Sequence, residues 1–211
     1  MVTQLYAHYQ QFRGRLALFS GVAPLLLRLI LAPVLIQAGW NKFRHFADTV
    51  AWFGNSDWGL GLPLPWLLAS LAIAAELIGG VMLLLGLLTR LVTIPLLVTM
   101  LVAIFAVHLP YGWPAIADSS SWLADGTILL NERVMDSSDK IAAARSLLQQ
   151  HGNYDWLTSS GKLVILNNGI EFAAIYFAML LSLLFSGGGR YVSVDHWLKC
   201  SISQRTSGAL Q

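Results

Sequence analysis

The chain has 211 residues, of which 13 are Lys or Arg and 11 are Asp or Glu, so 11% are charged and 56% apolar. An ordinary soluble domain carries about 25% charged residues, and a soluble monomer this poor in charge could not cover its own surface. Composition therefore excludes a soluble enzyme, a disordered tail and a disulfide-stapled secreted domain, and implies a membrane protein.

A net charge of +2 with no basic run gives no footprint for nucleic acid. The single cysteine, Cys200, permits no internal disulfide and no thiolate metal cluster. Residues 1–20 carry Leu5, Tyr9, Phe12, Leu16 and Phe19 at steps of four and three, beside Arg13 and Arg15. This is the pattern of an amphipathic helix lying on the membrane, on the cytoplasmic side. It is far too long for the leading region of a cleaved signal peptide, so the apolar run that follows is read as a retained span.

A crossing helix needs about 20 mostly apolar residues. Four segments qualify, about 21–40, 66–88, 91–109 and 163–186. The expected fold is an all-α membrane protein, a four-transmembrane-helix bundle with short interfacial helices. Pro65 suits the first turn of the second span; Pro33 and Pro95 are expected to kink the first and third. Leu88-Thr89-Arg90-Leu91 makes a tight hairpin between the second and third. Phe43, Phe46, Val50 and Phe53 predict an interfacial helix after the first span. The 110–162 segment is an extracytoplasmic insertion, in which Ser138 is expected to cap a helix carrying Ile141, Ala144 and Leu148, with Gly152 as its stop. Residues 110–136 show no period, and 187–211 form a cytoplasmic tail.

Orientation follows from the cations near span ends. Arg13, Arg15, Arg90, Arg190, Lys199 and Arg205 fall on one side; Lys42, Arg44 and Lys162 fall on the other. This predicts a multi-pass protein of a bacterial inner membrane with both termini cytoplasmic. Trp40, Trp52, Trp58, Trp66, Trp113, Trp122 and Trp156, seven of the eight tryptophans, lie on the outer side. Interfacial anchoring and a structured outer lid both account for that asymmetry.

Charges inside the spans carry the functional argument. Arg28, Glu76 and Glu171 each cost about 2.5–3.5 kcal/mol at mid-span, so each must pair or act. At 1.5 Å per residue, Arg28 lies roughly 11 Å from the cytoplasmic end of its span and Glu76 roughly 15–18 Å from the outer end of its own, depths that nearly coincide. Arg28, Ala32 and Gly39 share one helical stripe, as do Ala72, Glu76 and Gly80, and Asn167, Glu171, Ala174 and Ala178; small residues mark helix contacts in membranes. The charges are therefore expected to face the bundle. An ion pair between Arg28 and Glu76 that only fixes register, and a polar cavity floor, are both open. Glu171 has no basic residue at its depth, and an unpaired intramembrane carboxyl is expected to be protonated. It is a candidate proton carrier, or a hydrogen-bond partner of Asn167 or Asn168. Lys42 and His108 stand at the outer mouth. His45, His108 and His151 have no spacing that supports a metal site, and only His108 lies near a span, which leaves a haem without paired axial ligands.

The same residues carry a resemblance. Arg28-Leu29, Ala38-Gly39-Trp40-Asn41-Lys42, Glu76 with Gly79-Gly80, Leu83 to Arg90, His108, Glu171 and the run Gly187 to Asp195 occur in the order found in the DoxX family of small four-helix inner-membrane proteins. The long third loop resembles the HvfX-like branch, associated with maturation of copper-binding peptides. The resemblance implies an accessory component of a membrane redox or peptide-maturation system, with redox or maturation proteins as partners besides the lipid bilayer. It makes quinone, or another small molecule, the expected ligand of a polar site formed by Arg28, Glu76, Glu171 and Asn167, while copper enters only through the likeness to the HvfX-like branch. The charges alone also fit a small transporter acting as a homodimer, or an assembly factor in which they set packing.

Overall fold

The computed structural model describes residues 2–208. Met1 and residues 209–211 lie outside the described residues, as does the side chain of Arg205 that was counted toward orientation. Among the described residues there is no β-strand, only helices and two isolated bridges. They divide into two compact units: one combines the chain up to Thr99 with the part from Tyr176 onward, and the other is Met100–Ile175.

In the first unit, α1 (Val2–Leu18) leads through a turn into α2 (Val22–Arg44), followed by α3 (Phe46–Gly54) and α4 (Pro65–Leu85). α2 continues through Lys42 and Phe43, so Phe43 belongs to it, and the short interfacial helix starts only at Phe46. Pro65 opens α4 at a position where its missing N–H costs nothing. Gly86, left-handed at φ 68°, ends that helix, its N–H and that of Leu87 bonding back to the carbonyls of Leu83 and Met82. α5 begins at Thr89, three residues after that glycine. Its helical path continues as a π-helical turn and a 3-10 turn, giving an unbroken run Thr89–Tyr111.

α2 and α4 pack through small residues, as apolar helices do when no hydrophobic force drives them together. A Cβ on Gly39 would stand 2.9 Å from the Cβ of Glu76, and one on Gly80 would stand 2.8 Å from Ile36. These approaches fix an antiparallel register in which position 39 of α2 lies beside 76–77 of α4, and 36 beside 80. Leu31, Ala32, Leu35, Ile73, Leu83, Leu96, Leu180 and Leu183 fill the core of this unit.

Among the described residues three helices are long and apolar enough to cross a membrane: Val22–Arg44, Pro65–Leu85 and the run Thr89–Tyr111. The expected fourth span differs. Residues 163–170 are not helical, and the apolar helix α9 runs only over Glu171–Ser186, 16 residues. The backbone of 165–171 is instead engaged by residues 112–117: Ala117 N–H donates to the Ile165 carbonyl, Asn167 and Asn168 N–H to that of Ala115, Gly169 N–H to Pro114, and Ile170 N–H to Gly112. Hydropathy is blind to this pairing, which is why the apolar run Leu163 to Leu166 reads as helix.

The second unit also contains α6 (Glu132–Met135), α7 (Ser137–His151) and α8 (Tyr154–Leu157). α7 ends at Gly152, but its cap position is Asp136 rather than Ser138, which lies in the first turn. The aperiodic 110–136 stretch folds by turns and capping bonds around a small core of Ala117, Ala124 and Val134. α10 (Val194–Gly208) closes the described chain, within the first unit.

Candidate functional site

α2 presents one stripe to α4, running Arg28, Ala32, Leu35, Gly39 and Lys42. Gly39 brings the backbones together at Glu76, and Lys42, three residues further, reaches along the same face. Lys42 Nζ donates to both carboxylate oxygens of Glu76, at 2.6 and 2.9 Å. The Glu76 side chain is 6% exposed and that of Lys42 29%. The pair thus joins a carboxylate sealed between helices to a lysine whose side chain is part-exposed. Lys42 also lies in the last turn of α2, where the helix dipole favours a cation. Trp40 and Phe43, stacked at 5.7 Å and both exposed, stand beside it on the same turn.

Arg28 does not meet Glu76. In the observed register Glu76 lies beside position 39–40 of α2, roughly 18 Å along the axis from Arg28. The depth estimate failed because it measured each residue from the end of its own span, while the two helices are staggered, α4 ending where Arg28 meets Leu83 and Leu84. Arg28 instead lies buried at the end of α4. Its Nε donates to the Leu83 carbonyl at 2.8 Å and its Nη2 to Leu84 at 2.7 Å, while Nη1 donates to the carbonyls of Gly188 and Val192. A guanidinium there satisfies helix-terminal carbonyls and complements the dipole. Asp195 completes this junction from the other direction. Its two carboxylate oxygens accept the N–H groups of Leu88 and Thr89, at 2.6 and 2.9 Å, at the start of α5.

The remaining predicted residues belong to the second unit. Glu171 is the first residue of α9, and its Oε2 accepts the N–H of Ala115 at 2.9 Å. It is not the unpartnered mid-span carboxyl that the sequence suggests, because the helix that would have buried it begins at Glu171 itself. Asn167 is buried outside any helix and donates through Nδ2 to the carbonyls of Tyr111 and Pro114, both at 2.7 Å. His108 Nδ1 is 2.8 Å from the Asn168 carbonyl. Asn167, Glu171 and His108 thus all serve the closure of 165–171 on 108–117. In the same unit, hydrogen bonds from the Ser120 hydroxyl and N–H hold the exposed Asp118 carboxyl below the ordinary range.

Among the described residues no group of three or more His, Cys, Asp or Glu side chains converges. These side chains therefore offer copper no three-ligand set of that kind.

Sequence reasoning missed two partners. Lys42 as the mate of Glu76 was legible, since it continues the inward stripe of Gly39 at i+3. Asp195 as the cap of α5 was not, because the two are separated by 106 residues with no local signal.

Residues 23–109 match the family model described as DoxX. The chain is also similar to the Bacillus subtilis (strain 168) protein named "Putative oxidoreductase CatD", with 35% identity over 88 residues. That alignment covers 42% of this chain and 61% of the Bacillus protein, so less than two thirds of that relative is represented. No solved structure matches the chain.

Proposed function

From the match of residues 23–109 to the DoxX family model, we propose that this chain is an accessory component of a membrane redox system. In this reading it holds the polar head of a quinone-type molecule at Lys42 and Glu76. The observation that carries it is the Lys42–Glu76 pair itself. Burying a carboxylate in an apolar helix is costly, and its counter-ion Lys42 keeps a part-exposed side chain in the last turn of α2, where a polar head would approach. Lys42 Nζ would donate to a carbonyl oxygen of the bound molecule, Trp40 and Phe43 would flank its apolar body, and Glu76 would hold a proton at its carboxylate oxygens. The quinone, when bound, supplies the electron-accepting chemistry. The oxidoreductase name of the Bacillus relative supports the same direction.

The test is lipid extraction of the protein purified gently from native membranes, with quinone quantified by mass spectrometry in the natural chain, Lys42→Met and Glu76→Gln. Stoichiometric quinone in the natural chain and its loss in Lys42→Met is the expected result. No quinone, or equal retention in all three, would end the reading.

A second reading, an accessory role in peptide maturation as in the HvfX-like branch, is favoured by the 110–162 segment. It has its own small core, and it exposes Trp122, Ile128 and Leu130. In either reading we place the protein in a bacterial inner membrane, with four crossings and both termini in the cytoplasm. The Lys and Arg asymmetry supports that orientation.

A further inference from the structure

At the end of the first unit that holds the α4–α5 turn lies a groove of about 1140 Å³, bounded by that turn, the Gly187–Gly189 turn and α10. Its charge is one-sided. Arg90, Arg190 and Lys199 line it, all exposed, and among the described residues none of the three forms an ion pair. The only carboxylate in the lining is Asp195, already occupied by the N–H groups of Leu88 and Thr89. Arg90 is held at the rim, its Nη2 donating to the Phe185 carbonyl at 2.9 Å, and Arg190 lies over the Tyr191 ring at 4.9 Å. Both guanidinium groups are thus oriented before any ligand arrives, which lowers the cost of binding.

The surroundings select the ligand. Leu91 lines the groove and is mostly exposed, and α10 exposes Trp197, Leu198 and Ile202. Such residues sit at the boundary between headgroups and acyl chains. Preset cations beside exposed apolar surface, at the end of membrane-spanning helices, match a phosphate group that carries acyl chains. We infer that this groove is a binding site for the phosphodiester headgroup of an anionic phospholipid, with Arg90, Arg190 and Lys199 on its phosphate oxygens.

Cys200, the only cysteine, lines the groove and is exposed, so it reports occupancy in the unmutated protein. The experiment measures alkylation of Cys200 by an uncharged maleimide in detergent, with added phosphatidylglycerol, phosphatidylcholine or inorganic phosphate. Phosphatidylglycerol is expected to slow the reaction severalfold and the other two to leave it unchanged. In parallel, R190Q/K199Q is expected to need roughly 25-fold more phosphatidylglycerol for the same protection, from about fivefold per cation. Equal protection by phosphatidylcholine would make the effect one of detergent or packing and overturn the inference. Equal protection by inorganic phosphate would assign the groove to a soluble anion and overturn the lipid. An unchanged phosphatidylglycerol dependence in a folded R190Q/K199Q would remove the cations from the site.

Discussion

Lys42 and Glu76 are the residues whose exchange should say most. Removing Lys42 leaves a carboxylate sealed between α2 and α4 without its counter-ion. For a fully buried pair that costs about 3–5 kcal/mol; Lys42 is part-exposed, so Lys42→Met should cost roughly 1–3 kcal/mol. The double change Lys42→Met with Glu76→Leu should regain most of the loss, because an apolar replacement of a buried pair is often neutral. Denaturation midpoints of the three proteins in one detergent check this; a double variant as unstable as the single would mean the pair fixes the helix register. Arg28 offers the contrast. Its hydrogen bonds go to backbone carbonyls, so Arg28→Lys, which cannot present the planar fork to Leu83, Leu84 and Gly188 together, should also destabilise. It should leave any quinone retained at Lys42 untouched.

At the scale of elements, the α4–α5 turn is assembled from distant pieces. Gly86 needs its left-handed φ, and a Cβ there would also meet Ser193 Cβ at 2.6 Å and Arg28 Cζ at 2.7 Å. Gly86→Ala therefore adds steric conflict to strain of about 1–2 kcal/mol. Asp195→Ala removes the cap of α5 and should cost about 0.5–2 kcal/mol, with faster amide exchange at Leu88 and Thr89 as its signature. This junction explains why some of the molecule was legible from sequence and some was not. Apolar length alone marked out α2, α4 and α5, since a lipid solvent forces such runs into helix. The resemblance motifs around Arg28, Leu83 to Arg90 and Gly187 to Asp195 were visible as strings, but their convergence was not. Each uses backbone carbonyls or N–H groups as partners, and those carry no residue signature. The same blindness misread Leu163 to Asn168 as helix, since only pairing with 112–117 distinguishes them.

For the whole molecule, the length of α9 governs the number of crossings. α9 as a helix of 16 residues is about 24 Å long, against an apolar core of about 30 Å. A fourth crossing by α9 therefore draws the membrane thin or uses the residues beyond its ends. With four crossings, Cys200 and a cysteine placed at Ser120 lie on opposite sides. An impermeant maleimide should then label the natural chain in inverted vesicles only, and a Ser120→Cys, Cys200→Ser chain in right-side-out vesicles only. Labelling of both from one side would reduce the count to three.

The reach of Arg28 also sets a timetable. Gly188, whose carbonyl it holds, is 160 residues further along the chain. At about 5–20 residues per second, that acceptor emerges roughly 10–30 s after the guanidinium has left the ribosome. Through that interval α2 and α4 can pair at Gly39 and Gly80 while Arg28 depends on Leu83, Leu84 and water. The last stretch of the protein is thus a latch on the first hairpin. Nascent chains halted before Gly187 should yield α2 and α4 to protease more readily than the released protein does.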